Sequence, residues 1–357
     1  MADLDDLEQI SKLDASNLLG SIEALPDQLK QAWEEVFQTS MPEDLLNVKN
    51  VVVSGMGGSA LGGRIIDSLI LDRANTPIEI STEYRLPNYV GPDSLVIISS
   101  YSGNTEETLS SAHDAIKKNA KIFVVTTGGK IAQLAKEEGL PSYIFNPIHN
   151  PSNQPRMGIG YSIGAVLALL VKGKYIQMSS DEELKLVEAT RKYISEHSAR
   201  IPTSQNVAKN LATSLFNKQV ILVASEHLLG AAHAFKNQLN ENSKTFAALF
   251  DLPELNHHLL EGLANPKAAK TMLHFLFLDS KLYSPEVSKR YPLTAEVVEK
   301  NNVATSTFET VSNTKIEQIF ELLTLGEYVS FYLSILYDTD PTPIVWVDYF
   351  KKKLSES

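Results

Sequence analysis

The sequence predicts an α/β protein of two three-layer αβα domains, each with a mainly parallel, doubly wound sheet. Three observations carry this expectation. Short β-branched and apolar runs alternate with longer stretches of helical periodicity along most of the 357 residues. Two strand-to-helix junctions have distinctive chemistry, the glycine-rich GMGGSALGG at 55–63 and the hydroxyl-rich SYSGNTEET at 100–108. KNVVVSGMGGSALGGRIIDSL at 49–69 also overlays on KQVILVASEHLLGAAHAFKNQL at 218–239, strand on strand and helix on helix. That overlay points to a duplication whose second copy has lost the glycines.

In chain order, residues 4–37 have apolar positions at helical spacing among acids and read as one or two amphipathic helices covering the sheet or a partner subunit. Strands follow at 48–54, 77–82, 95–99, 121–126 and 142–145. Helices are expected from the glycine-rich turn to about 71, at 105–118 and at 130–138. A Pro- and Asn-rich loop at 147–155 leads to Arg156 and an apolar helix ending near 171. Residues 178–181 read as a boundary, giving domains 1–177 and 178–357, with Ser180 and Glu183 spaced as a capping box. Beyond it come helices at 182–197, 203–216 and 228–242, strands at 219–224, 245–250, 271–278 and 304–308, and a long helix at 316–336.

Length suits two domains, each able to bury its own core, and 43% hydrophobic with 21% charged residues is a globular composition. The net charge of −11 argues against nucleic-acid and anionic-membrane partners, though not against a small anionic ligand held by a few amides and one arginine. Without cysteine there is no disulfide, thiolate nucleophile or thiolate metal site. The acidic N-terminus lacks the plan of a secretory signal, and the apolar stretch at 158–171 is too short to span a bilayer, so a cytoplasmic protein is expected.

The functional expectation starts at 95–109. An apolar strand runs into Ser100, Ser102 and Thr105, with Gly103 allowing close backbone approach, and then into a helix start. Free amides and hydroxyls at a helix N-terminus suit a phosphate. An ordinary N-cap needs one Ser, Thr or Asn, not the four, Ser100, Ser102, Asn104 and Thr105, that stand in these six positions.

GMGGSALGG and SYSGNTEET in one αβα domain resemble sugar isomerase (SIS) domains, and the two-domain layout resembles the bifunctional phosphoglucose/phosphomannose isomerases. Arg156, LNENSK at 239–244, PELNHH at 253–258 and DPTPIVWVDYFK at 340–351 agree with that family in order. The resemblance implies reversible, metal-independent conversion of glucose 6-phosphate and mannose 6-phosphate to fructose 6-phosphate, without a cofactor. It implies Glu241 as the base that moves a proton between carbons 1 and 2, and Arg156 as the stabiliser of the enediolate. His257 and Lys351 would open the sugar ring. Gly58, Ser59, Ser100, Ser102 and Thr105 would hold the phosphate, and Thr342 would bear on acceptance of both epimers. The family's histidine reaches across a subunit interface, so a homodimer with a shared active site is implied.

Each assignment has a plainer reading. Glu241 resembles any solvated glutamate near a helix end, Arg156 any surface ion-pair partner, and Lys351 one of three lysines in a basic tail that includes Lys352 and Lys353. A non-catalytic phosphosugar sensor would use the same loops without Glu241. A nicotinamide-dependent dehydrogenase would use Gly55, Gly57 and Ala60 with Glu79, but leaves SYSGNT without a task.

Overall fold

The computed structural model describes residues 2–74 and 76–356. Its strands form two parallel sheets. The first holds β1 (Asn50–Ser54), β2 (Ile78–Ser81), β3 (Ser94–Ser100), β4 (Lys121–Thr126) and β5 (Ser142–Ile144) in the order β2-β1-β3-β4-β5. The second holds β6 (Gln219–Ala224), β7 (Ala247–Asp251), β8 (Leu273–Ser280) and β9 (Ala304–Thr310) in the order β7-β6-β8-β9. Strand order is therefore the same in both, with the winding reversing beside β1 and beside β6. Crevices at such switch points are where doubly wound sheets bind ligands.

The helices of the first half are α1 (Leu7–Leu13), α2 (Leu18–Glu23), α3 (Leu25–Gln38), α4 (Gly58–Ile70), α5 (Glu106–Lys117), α6 (Gly129–Glu137) and α7 (Ile159–Lys172). The second half has α8 (Ser180–His197), α9 (Val207–Leu215) and α10 (Leu229–Glu241), then the single turns α11 (Leu259–Gly262), α12 (Ala269–Met272) and α13 (Pro285–Ser288). It ends with α14 (Arg290–Lys300), α15 (Lys315–Leu336) and α16 (Val345–Glu356).

Side chains alternate across the first sheet as strand geometry requires. Val52, Val96, Ile98, Ile122 and Val124 meet α5 and α6 in a small outer core. Val51, Val53, Leu95, Ile97, Phe123 and Val125 point inward and join one large core that continues into the second half. The apolar interior is therefore shared between the two halves of the chain. The two repeat helices, α4 and α10, pack against each other, and Gly230 N–H donates to Ser68 Oγ at 3.1 Å.

Several local expectations are also revised. The N-terminal region folds as three helices, and α3 lies on α7 and α8. The capping box is one residue earlier than expected: Ser179 Oγ accepts from Glu182 N–H at 3.2 Å and Ser179 N–H donates to Glu182 Oε2 at 3.1 Å. Arg73 Nη1 fixes that same glutamate at 2.6 Å. Residues 203–205 form a 3₁₀ turn, and α9 starts only after Asn206, whose side chain caps it. The longest apolar helix is α15. By length and composition it could cross a bilayer, but the protein buries its whole apolar window, making it the central core helix.

Candidate active site

Three loops meet at the carboxyl edge of the first sheet. The turn after β1 enters α4 through Gly57, and the turn after β3 enters α5 through Thr105; neither helix start has a side-chain cap. The amides of residues 106–108 at the start of α5 face a ligand, whereas in α4 Ser59 and Ala60 N–H already donate to the Met56 and Gly57 carbonyls and Gly58 N–H is left. The hydroxyls are oriented from behind. Tyr101 N–H donates to Ser59 Oγ at 3.0 Å, Ser100 Oγ to Thr105 Oγ1 at 3.1 Å, and Asn104 N–H to Ser102 Oγ at 3.3 Å. Ser59, Ser102 and Thr105 thus accept from the protein and keep their protons for an incoming anion. Ser100 is buried and gives its proton to Thr105, which makes it an orienting group. Gly103 sits at φ +66°, and a Cβ there would come 1.8 Å from the Gly128 carbonyl oxygen. Only glycine closes this loop.

A second wall comes from the Pro- and Asn-rich loop. Its anchor is Gln28 of α3, fully buried, whose Nε2 donates to the carbonyls of His149 and Met157, each at 2.9 Å, while its Oε1 accepts from Gly160 N–H at 3.1 Å. The N-terminal helices therefore do more than cover the sheet. They fix the 3₁₀ turn Pro155–Met157 that carries Arg156. Gly58 lets this turn lie against the start of α4, since a Cβ there would stand 3.1 Å from Arg156 Cα.

Arg156 is 8% exposed and reaches into the second half of the chain. Its Nε donates to Asn242 Oδ1 at 2.9 Å, Nη1 to Gln154 Oε1 at 3.0 Å, and Nη2 to the carbonyls of Pro341 at 3.0 Å and Thr342 at 2.7 Å. Four of its five N–H groups are committed, leaving one on Nη1. Asn242 is held in turn by donating Nδ2 to Ser330 Oγ at 3.1 Å. Glu241, the last residue of α10, puts Oε2 3.9 Å from Arg156 Nε, with its side chain 30% exposed. Burial pushes its carboxyl up from the ordinary value, opposed by the charges of Arg156, Lys351 and Lys244. The arrangement can hold a dianion at the loops and present a raised-pKa carboxylate beside a fixed cation.

The expected residues Gly58, Ser59, Ser100, Ser102, Thr105, Arg156, Glu241 and Thr342 are gathered around this edge, and the Thr342 hydroxyl is buried without a partner. Lys351 projects from α16 within electrostatic reach of Glu241, whereas Lys353 pairs with Glu356 at 2.8 Å. His257 is the exception. It is exposed in the 3₁₀ turn Glu254–His257, and among the described residues no hydrogen bond or ion pair ties it to Glu241 or Arg156. Sequence gives no signal for Gln28, whose partners around the site lie far along the chain; Asn242 and Lys244 both stand in LNENSK, but no local pattern there shows that they bind Arg156 and the 340–341 carbonyls. Among the described residues, no three His, Asp or Glu side chains gather as metal ligands would.

Tandem αβα domains, with a hydroxyl- and amide-lined loop facing an Arg–Glu pair, define a phosphosugar isomerase of the SIS type. The family model "Bacterial phospho-glucose isomerase C-terminal SIS domain" matches residues 204–354. A bifunctional phosphoglucose/phosphomannose isomerase of Caldicellulosiruptor bescii is 35% identical over 338 residues, 94% of this chain and 98% of that protein. One of Aquifex aeolicus is 30% identical over 326 residues, 91% and 94% of the two chains. In fold, a hypothetical protein of Thermus thermophilus superposes with a TM-score of 0.76 over 98% of this chain and 93% of that one, at 16% identity. The chain belongs to the bifunctional phosphoglucose/phosphomannose isomerase family.

Proposed function

We propose that this protein interconverts glucose 6-phosphate and mannose 6-phosphate with fructose 6-phosphate by proton transfer through an enediolate. The observation that carries the reading is the Glu241 carboxylate 3.9 Å from a buried, fully oriented Arg156, beside a loop of donor hydroxyls and uncapped helix amides. The phosphate sits on Ser59, Ser102, Thr105, the Gly58 amide and the amides at the start of α5, with Gly58 giving close approach and Ser100 orienting Thr105. Glu241 takes the proton from carbon 2 of the open-chain aldose. The C–H electron pair becomes the C1–C2 double bond, and the carbonyl pair moves to oxygen 1, where Arg156 meets the developing charge. The C1–C2 double-bond pair then takes the proton back from Glu241 at carbon 1, while the proton on oxygen 2 passes to oxygen 1 and the O–H pair it leaves closes the carbon 2 carbonyl, giving the ketose and regenerating the Glu241 carboxylate. Both aldoses lose their C2 stereochemistry in this enediolate, so delivery to either face of carbon 2 yields either epimer, with Thr342 bearing on that choice. Charge stabilisation by Arg156 makes a metal unnecessary, and no cofactor is required.

Ring opening is assigned to Lys351 and His257. The exposed position of His257 supports a homodimer in which it completes the partner's site, and α16 offers an apolar face for such pairing, with Trp346 79% and Phe350 63% exposed. We place the domains at 1–177 and 178–357 and the enzyme in the cytoplasm, with hexose 6-phosphates rather than nucleic acid or membrane as partners. The test is fructose 6-phosphate formation from each aldose by metal-stripped protein. Turnover of both upholds the reading; binding without turnover leaves a sensor; absence of binding removes the phosphosugar premise.

A further inference from the structure

The residue three positions after Glu241 adopts a backbone conformation that lysine disfavours. Lys244 has φ +54°, and most other non-glycine residues with positive φ in this chain are Asn or Asp, which tolerate it. For lysine the left-handed region costs about 1–2 kcal/mol. Its side chain gives a reason for that strain. The ammonium donates to the carbonyls of Asn242 at 3.0 Å, Asp340 at 3.0 Å and Pro341 at 2.9 Å. Only the first belongs to the end of α10, so helix capping explains one bond of three.

The other two acceptors belong to the strap that joins α15 to α16. Arg156, from the first half of the chain, donates into the same strap at Pro341 and Thr342, so the Pro341 carbonyl accepts from both cations. The strap is tightened by its own turn, Thr342 N–H donating to Asp340 Oδ1 at 2.8 Å. Thr342 sits in this strap and Lys351 follows it on α16.

We infer that Lys244 is a positioning residue for the isomerisation: with Arg156 it clamps the 340–342 strap and so sets where Thr342 and Lys351 stand relative to Glu241. The inference rests on the proposed isomerase reading for its kinetic consequence, but the clamp itself does not. Its three acceptors require all three donors of an ammonium; a neutral amine has two. Burial, reinforced by Arg156 and opposed by Asp340 and Glu241, brings Lys244 down to about 8. From α16, Lys351 acts on Glu241 and Asp348 acts on Arg156. The clamp therefore loses a bond on the alkaline side of neutrality.

The experiment compares Lys244→Met, Lys244→Gly and Lys244→Arg in the full-length protein by hydrogen exchange and by kinetics. Lys244→Met is expected to speed exchange of the amides at 340–345 and lower kcat for both aldoses by about tenfold or more, since a misplacement of about 1 Å can cost about 10²-fold. Inhibition by inorganic phosphate, which reads the loops at 55–59 and 100–105, stays within about twofold. Lys244→Gly relieves the backbone yet behaves as Lys244→Met, which separates the side chain from the strain. Lys244→Arg keeps strap protection and moves the alkaline limb of kcat upward, because arginine does not titrate there. Wild-type strap exchange in the Met and Gly variants overturns the inference, as does an unmoved alkaline limb in Lys244→Arg, the variant that decides the matter if the others do not fold. Faster strap exchange in a protein whose wild type turns over neither aldose would uphold the clamp and sink the isomerase reading instead.

Discussion

Arg156 Nε and the Glu241 carboxylate face each other at 3.9 Å, one residue from each half of the chain. The Nε–H is already given to Asn242 Oδ1, so Arg156 acts on Glu241 through charge and leaves the carboxylate free to accept a proton. Glu241→Gln keeps the shape and removes the base. Turnover of both aldoses is expected to fall by about 10²–10⁴-fold while the dissociation constant for fructose 6-phosphate changes little. Equal loss of binding and turnover would make Glu241 a ligand contact instead.

The pH dependence follows from the same pair. Glu241 must be ionised to take a proton, and burial holds its folded pKa above the ordinary 4.5 while Arg156, Lys351 and Lys244 pull it down. The acid limb of kcat/KM therefore lies above 4.5. Lys351→Met removes one of the opposing cations, so the limb should move to higher pH, and a rate-against-pH series reads this directly. A limb that stays in place would show that the Lys351 charge does not reach the base.

The phosphate loop can be tested at its backbone. Gly103→Ala puts a Cβ into the Gly128 carbonyl at φ +66°, and the loop must open. Ser102→Ala with Thr105→Ala removes two of the free hydroxyl donors and leaves the backbone intact. Both variants are expected to raise KM for the sugar phosphates, and the double variant should also weaken inhibition by inorganic phosphate, about 1 kcal/mol or more per charge-assisted bond. Unchanged phosphate inhibition in the double variant would put the phosphate elsewhere.

Local chemistry made much of this fold legible. β4 and β6 match the expected 121–126 and 219–224 to the residue, because β-branched runs bounded by turns admit one reading. α14 was not foreseen: Pro292 reads as a helix breaker, but it lies in the first turn, where no intrahelical amide bond is lost. α16 was hidden by composition, since KKKLSES looks like a tail and the apolar residues before it, Val345, Trp346, Tyr349 and Phe350, are exposed rather than buried against the core. The supporting shell was the least legible. Gln28 acts on residues more than 120 positions away and Arg156 on a strap 185 positions away, and no local pattern encodes such partners.

Stability carries its own pH signature. Glu327 is 1% exposed on α15, its Oε2 has no partner, and burial holds its carboxyl well above 4.5. Below that pH the side chain is protonated in folded and unfolded chains alike and costs nothing extra. Above it the unfolded chain ionises while the folded one keeps the proton, so stability falls as pH rises toward the folded pKa. Glu327→Gln removes the titration. Its melting temperature relative to wild type should be higher at pH 8 than at pH 4.5, and an equal difference at both would mean that Glu327 is not a buried acid. The unpaired amide it leaves behind costs the same at both values, so the comparison isolates the proton.

The exposed His257 leads to the test of a shared site. If His257 serves the partner's Glu241, Glu241→Gln and His257→Ala are each nearly inactive alone, since every site in either homodimer lacks one group. In a mixed dimer, however, the His257→Ala subunit brings an intact Glu241 and receives His257 from its Glu241→Gln partner, restoring one site of two. Equal mixing after dissociation gives mixed dimers in about half the population, so about a quarter of wild-type activity should return. A site completed within one chain could not be rescued, because each mixed dimer would hold one site without the base and one without the histidine. Activity measured after unfolding and co-refolding the two variants, beside each refolded alone, separates the cases. Light scattering on the wild type supplies the oligomeric state on which the quarter depends, and a monomer would remove the shared site altogether.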